Sequence, residues 1–579
     1  MRWADNTLKE RYILSMIRKS PLFYAIFLNI LFLLLYFAFG QVRHGSLDDY
    51  FMSSVLTGAY GGEYDVHMYF VNAAYGYFLK PFYWLFPKAG WYFIFELFGT
   101  FLAFSTLSYF VIQRMNNKWG LALSVLILAA LTPDFYFQLS FTQCATAYTA
   151  AGIVSFSFGL SEEKKKFLVL GGLFLLTGSI MRFEGFLIGL PIFSLLLVIQ
   201  MYERKRIRLA AVVALCLSFI SIWGVKEYDQ SLYSEGEYKY YADYQPIRAF
   251  FGDGAFYDKE STFDELEERG MSGLDFNLLK AWVFYDTEVF QIDSLKPIKD
   301  VAQNNLYKPN PQRVVAAFFL SISNALMRCS GWCWVLLCVM LMFSSSRKAN
   351  VYPWVSLGFI ALCIGYLLLV NRLVYHVESG VWLYAVVSAI PFMSKEMFYP
   401  KAELAKHEKF VLLGVLILSV TFAYIGISNQ GSLKKKFSLI ETPEMTKDWS
   451  GFVNYAKTHQ DDVFLLSFEQ YKALGTIKNP AYKAIEPGSW NNIFSWGYWN
   501  IHLPGMREEL LKRGVNNPLH DIVYENVYVL EDRGEPFLFA YYPLHYRDSL
   551  HVDTVQTFGE LLLLKYRVKE DSLWKNGEK

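Results

Sequence analysis

The sequence predicts a polytopic α-helical membrane protein of about 11 transmembrane helices, with interfacial helices in the first external loop and a small extracytoplasmic α/β C-terminal domain. Three observations predict it. Hydrophobic residues make up 54%, aromatic residues 18% and charged residues only 18% of the 579 positions, too apolar a balance for a soluble chain. Apolar runs on the scale of a bilayer recur as far as residue 428. The cations between those runs fall into alternate connections, as a fixed membrane topology requires.

In chain order the apolar cores are residues 22–40, 91–113, 119–133, 137–160, 167–181, 183–201, 207–225, 329–343, 351–370, 377–393 and 410–428. The first has spanning length and is read as an anchored helix rather than a cleaved signal. Arg2, Lys9, Arg11, Arg18 and Lys19 before it place the N-terminus in the cytoplasm. Two further segments are apolar but interrupted. In 67–87, Asn72, Gly76 and Lys80 recur on one face and Pro81 interrupts the helix, which predicts an interfacial helix pair. In 311–328, Arg313, Ser321, Asn324 and Arg328 fall near one stripe, so this segment too is expected to lie on the membrane. With both left non-spanning, Arg114 and Lys118, Lys164 to Lys166, Arg204 to Arg208, Arg347 and Lys348, and the cations from Lys395 to Lys409 all become cytoplasmic. The C-terminus is then external.

This divides the chain into a transmembrane domain over 1–428, with external loops at 41–90 and 227–328, and an extracytoplasmic domain over 429–579. The tail reads as α/β: a helix over 446–458, a short apolar run at 462–466, a helix over 505–513 and strand-like runs at 521–530 and 557–566. All six cysteines lie in apolar stretches, so the exported parts carry no disulfide framework. Cys329 and Cys333 have a metal-compatible spacing but no second ligand pair, and buried structural thiols are expected. The 54 Lys and Arg against 53 Asp and Glu leave a net charge of +1, which argues against a nucleic-acid partner. No phosphate loop, zinc-protease, serine-hydrolase or dinucleotide motif is present.

Chemistry-bearing residues gather in the external segments. Asp48 and Asp49 follow the first span, and with Tyr50, the Gly58, Gly61 and Gly62 turn, Glu63, Asp65 and His67 they form a loop dense in titratable groups. The bland alternative is a polar cap on the first helix. Arg182 and Glu184 occupy a tight turn between two spans, either as a local ion pair or as a guanidinium that clamps a lipid phosphate. Arg372 and His376 offer a second such anchor. Tyr238, Tyr240, Tyr241 and Tyr244 precede Arg248 and Asp253; these aromatics suit sugar faces or a membrane-interface belt. Trp490, Trp496 and Trp499 suit carbohydrate stacking or ordinary core packing.

This arrangement of acidic first loop, surface helices, about eleven spans and exported tail resembles the GT-C superfamily of bacterial integral-membrane glycosyltransferases. Leu47-Asp48-Asp49-Tyr50 is similar to that family's first-loop acidic motif. The run from Asp48 through Tyr60-Gly61-Gly62-Glu63-Tyr64-Asp65-Val66-His67 is similar to that of bacterial membrane proteins grouped with these enzymes. The resemblance implies an inverting transfer of a sugar from a polyprenyl-phosphate carrier to a glycan, lipid or protein acceptor at the outer leaflet. Asp49, with Asp48 as alternate, then takes the acceptor proton, and Arg182 or Arg372 stabilises the departing phosphate. Glu184, His376, Asp65, His67 and Arg248 complete the expected substrate-binding set. Some relatives use a divalent cation at the acidic loop; Asp48, Asp49 and Glu63 or Asp65 offer oxygens, but nothing in the sequence requires a cofactor. The rival expectation is a transporter or flippase of lipid-linked saccharides, with a polysaccharide polymerase as a close variant of the enzyme and a non-catalytic export scaffold as a third reading.

Overall fold

The computed structural model describes residues 20–569 apart from 116, 205–208, 253–258, 271, 307–309, 343, 345–347, 395–401, 437–442, 479–480 and 532–536. The cations from Arg2 to Lys19, and Asp253, Arg347 and Lys395, lie outside the described residues.

Among the described residues eight helices are long and apolar enough to cross a membrane: Pro21–Phe39, Trp91–Arg114, Lys118–Tyr136, Phe141–Ser161, Phe183–Glu203, Leu209–Leu232, Ala349–Leu369 and Glu408–Asn429. Each coincides with a predicted apolar run. Three other predicted runs form helices too short to qualify alone: Lys165–Met181 with 17 residues, and Ser330–Met342 and Tyr375–Val387 with 13 each. At 1.5 Å per residue a 13-residue helix covers about 20 Å of a hydrocarbon core about 30 Å thick. Ser330–Met342 reaches spanning length only together with Pro311–Met327, from which it is bent by 87°.

The centre of the bundle is Phe141–Ser161, buried from Phe141 to Gly159. Its Ala, Gly, Ser and Thr content explains this. A Cβ on Gly152 would come within 2.9 Å of the Leu175 backbone, and one on Gly171 within 2.7 Å of Phe156 N, so small residues let this helix and Lys165–Met181 pack backbone to backbone. The peripheral helices instead expose apolar faces, as at Leu34, Ile220 and Ile417. Polar bonds fix the first helix against its neighbours: buried Asn29 donates to Ser108 Oγ at 3.1 Å, and Tyr36 and Thr132 share a hydroxyl bond at 2.6 Å.

The segment between the first two long apolar helices departs from expectation. Its two helices are Leu47–Leu56, which begins at the acidic pair, and Ala73–Leu85; they are not two halves of 67–87. Pro81 sits inside Ala73–Leu85 without ending it. The start is set by Asn72, whose side-chain oxygen accepts from Ala74 N at 2.9 Å and so satisfies a free N–H of the first turn.

Among its described residues the C-terminal region carries five strands: β1 (Val463–Leu466), β2 (Ile493–Ser495), β3 (Val527–Glu531), β4 (Leu550–Phe558) and β5 (Leu561–Val568). Their order is β2-β1-β3-β5-β4, with β1 parallel to β2 and β3, and β5 antiparallel to β3 and β4. The run 557–566, expected as one strand, straddles the β4–β5 turn, where Gly559 takes a φ of 62°. The expected strand at 521–530 is a 3₁₀ turn, Asp521–Val523, followed by β3.

This sheet region is lashed to residues 41–90 and to the segment after Leu209–Leu232. Gly488 N donates to Gly58 O at 2.7 Å and Trp490 N to Ala59 O at 2.9 Å, while Phe284 N and Tyr285 N both donate to Trp496 O. Trp490, Trp496 and Trp499 are buried in the contact, the packing role weighed for them.

Candidate functional site

Asp48 and Asp49 occupy the first turn of Leu47–Leu56, where the helix dipole favours carboxylates, and Ser46 Oγ caps that turn by accepting from Asp48 N at 3.1 Å. The preceding residues are fastened to the entry of the central helix. His44 bridges to Leu139, and Gly45 N donates to Leu139 O at 2.6 Å. Gly45 has no substitute there, because a Cβ would fall 2.3 Å from Gln138 O.

The two acids face different surroundings. Asp49 is 0% exposed; its Oδ1 accepts from Tyr92 OH at 2.9 Å and from Phe141 N at 3.1 Å, the latter at the positive end of the central helix. Burial pushes its carboxyl well above the usual carboxylate range, the Phe141 and Tyr92 hydrogen bonds oppose this, and the Asp48 charge adds to it. Asp48 is half-buried, and its Oδ1 accepts from Tyr498 OH at 2.6 Å. Of the expected catalytic pair, the carboxylate that meets the loop and sheet surface is therefore Asp48, and Asp49 is sealed behind it.

Behind Asp49 lie His44 and Glu96. The ligand atoms of these three residues fall within 4.8 Å of one another, and His44 Nδ1 stands 3.6 Å from Glu96 Oε2. Burial holds the His44 ring down at about 3, as a neutral imidazole. The oxygen set weighed from sequence does not gather in this way: Glu63 is exposed, and Asp65 is committed elsewhere.

Arg182 reaches the same region through aromatic rings. Its guanidinium lies 4.9 Å from the ring of Phe141, the residue whose N–H holds Asp49, and 5.5 Å from that of Phe70. Phe70 packs edge-on against Trp499 at 5.6 Å, next to Tyr498. Glu184, 70% exposed, pairs with Arg182 Nε at 3.3 Å. His376 is near enough to feel the Arg182 charge, and Arg372 is exposed in the turn before it.

Arg248 approaches from the segment between Leu209–Leu232 and Pro311–Met327. It is buried, stacks 5.0 Å over Trp282, donates from Nε to Gln245 Oε1 at 2.8 Å and has Nη1 without a hydrogen-bond partner; its charge acts on Tyr498. Asp65 and His67 form a separate group: Asp65 Oδ1 and His67 Nδ1 lie 2.6 Å apart, and Tyr238, which donates to Asp65 at 3.1 Å, stacks on the imidazole at 3.6 Å.

Sequence reasoning missed several members. Glu96 lies inside a run read as an apolar span, yet an ionisable residue in such a run is itself a functional signal. Tyr92, Phe141 and Tyr498 act through a hydroxyl or an N–H that no local pattern marks. A second buried group was also missed: Glu378 pairs with Arg328 Nη2 at 2.6 Å and accepts from Ser321 Oγ, and Tyr375 donates to Asp134 at 2.8 Å.

No family model matches the chain, and no curated protein matches it in sequence.

Proposed function

We propose that the chain is an inverting membrane glycosyltransferase that moves a sugar from a polyprenyl-phosphate carrier to an acceptor hydroxyl at the outer face of the membrane. The supporting observation is that a half-buried carboxylate, Asp48, accepts from Tyr498, whose ring meets that of Trp499, while the guanidinium of Arg182 lies over Phe70 and Phe141 and Phe70 packs against Trp499. In this reading the acceptor oxygen attacks the anomeric carbon and Asp48 takes its proton. The bond from that carbon to the phosphate oxygen breaks, and the phosphate leaves with the electron pair toward Arg182. Burial makes Asp49 the lesser choice for the base. Arg248, Arg372, His376, Asp65 and His67 remain the proposed donor and acceptor contacts, Glu184 is the ion-pair partner of Arg182 that the donor phosphate displaces, and GT-C membership is part of the same proposal.

Counting the three shorter apolar helices as crossings gives about eleven spans, with a cytoplasmic N-terminus and an external sheet region. Tyr375–Val387 supports this count despite its length, because protein surrounds it from Glu378 onward and little of it needs to match lipid.

One observation favours the rival reading, a flippase of lipid-linked saccharides. The bend of 87° between Pro311–Met327 and Ser330–Met342 lies beside the buried Arg328–Glu378 pair, and broken helices with buried charge are what transporters use. The charges nevertheless sit at helix ends, with Asp134 near the last residue of one helix and Tyr375 the first of another. The test is single-turnover transfer from a polyprenyl-phosphate sugar by the full chain in nanodiscs. A new glycosidic product is expected; lipid translocation without product would replace the enzyme by the flippase.

A further inference from the structure

His44, Asp49 and Glu96 come from three separate elements: the strand-like segment before Leu47–Leu56, that helix itself, and Trp91–Arg114. They are 4%, 0% and 0% exposed. His44 Nδ1, Asp49 Oδ2 and both carboxylate oxygens of Glu96 are buried without a hydrogen-bond partner. Unpaired buried polar atoms are rare because each loses its water without compensation, and here one ligand atom from each of the three residues lies within 4.8 Å of the other two.

Their orientation is fixed from outside. Tyr92 OH and Phe141 N hold Asp49 by Oδ1, which leaves the other oxygen to the Glu96 side. The imidazole of His44 is walled edge-on by Tyr50 and Phe93, each at 4.8 Å. Second contacts that aim a ligand atom while leaving it open are the supporting layer a metal site needs.

We infer that His44, Asp49 and Glu96 bind a divalent cation of the zinc or manganese class. Two carboxylates and a neutral imidazole cancel its charge, and the mixed nitrogen and oxygen set suits these ions better than magnesium or calcium, which favour oxygen alone. Ligands about 2.1 Å from a tetrahedral ion lie about 3.4 Å apart, close to the 3.6 Å between His44 Nδ1 and Glu96 Oε2. The ion ties the acidic loop to Trp91–Arg114 and, through Phe141, to the central helix. This role is independent of sugar transfer.

The competing account is a proton shared by the two carboxyls, and one set of measurements separates the two. Purified full-length protein is stripped with a chelator, then assayed for bound metal by mass spectrometry and for thermal unfolding after addition of zinc, manganese or magnesium. The expected result is one equivalent of zinc or manganese, with a rise in Tm that magnesium does not reproduce. Glu96→Gln and His44→Gln should abolish both, while Asp65→Asn, outside the cluster, should keep both. Wild-type protein that binds no stoichiometric metal and shows no Tm response overturns the inference whether or not the variants fold. Glu96→Gln with undiminished or greater stability and no metal dependence assigns the site to the shared proton.

Discussion

Tyr498 donates its hydroxyl to Asp48 Oδ1 at 2.6 Å, joining residues 450 positions apart. The bond brings the C-terminal region into the acidic loop. If Asp48 is the base, Tyr498 orients it, so Tyr498→Phe should slow transfer about 10-fold or more while donor affinity stays level. Loss of the charge-assisted bond should also cost about 1.5–3 kcal/mol of stability. Asp48→Asn should slow transfer roughly 10²–10⁴-fold with the fold intact. Single-turnover transfer and thermal unfolding of both variants give the comparison; unchanged transfer by Asp48→Asn would exclude it as the base.

Arg182 and Glu184 should act in opposite senses on an anionic donor. Arg182→Ala removes a guanidinium from the Phe70 and Phe141 rings and should weaken donor binding by about 1.5–3 kcal/mol, roughly 10- to 150-fold in Kd. Glu184 is exposed and competes for the same guanidinium, so Glu184→Gln should tighten binding by a few-fold, about 0.2–1 kcal/mol. Titration of labelled donor into nanodiscs reads both. Weaker binding by Glu184→Gln would make the pair a structural unit rather than a clamp and its competitor.

The main helices were legible because burial in lipid leaves a long uninterrupted signature: 22–40 became Pro21–Phe39, and 351–370 contains Tyr352–Leu369. The sheet was only partly legible. Gly559 and Glu560 turn the chain between Phe558 and Leu561, and a two-residue turn flanked by apolar residues looks like strand interior until pairing is known. Among site residues, Asp48 and Arg182 stood out as charges beside spans. Their relation did not, since it runs through the Phe141 and Trp499 rings and through Tyr498, whose partners are set by tertiary contact alone. Glu96 was concealed by its apolar neighbours, and their burial of the carboxylate is what gives it chemical weight.

The buried pair of Arg328 and Glu378 carries a stability prediction of its own. Arg328→Met leaves the Glu378 carboxylate, also bonded by Ser321, without its cation and should destabilise by about 3–5 kcal/mol. Adding Glu378→Gln should recover much of that loss, because an amide can keep the Ser321 contact without a buried charge. Unfolding in detergent of the single and double variants checks this. Equal stability of Arg328→Met and wild type would show that the pair contributes nothing to the packing of Pro311–Met327 against Tyr375–Val387.

His502 gives the sheet region a pH dependence with a definite sign. Its ring is buried edge-on to Tyr244 at 4.5 Å and Tyr285 at 5.2 Å; burial, aided by the Arg507 charge, lowers it from 6.5 to about 3. The folded chain thus keeps His502 neutral where the unfolded chain is protonated. Its contribution is complete above about pH 6.5 and is lost as pH falls toward about 3, with a slope approaching 1.4 kcal/mol per pH unit. Asn is the informative replacement, since His502 has a φ of 62° and Asn tolerates that left-handed backbone without titrating. His502→Asn should be less stable than wild type at pH 8 but lose less stability between pH 6.5 and 4.5. Buried His44 titrates in the same direction in both proteins, so the difference between their pH profiles isolates His502. Parallel profiles would show that His502 stays uncharged in the unfolded chain as well, or that it gains a proton in the fold without cost.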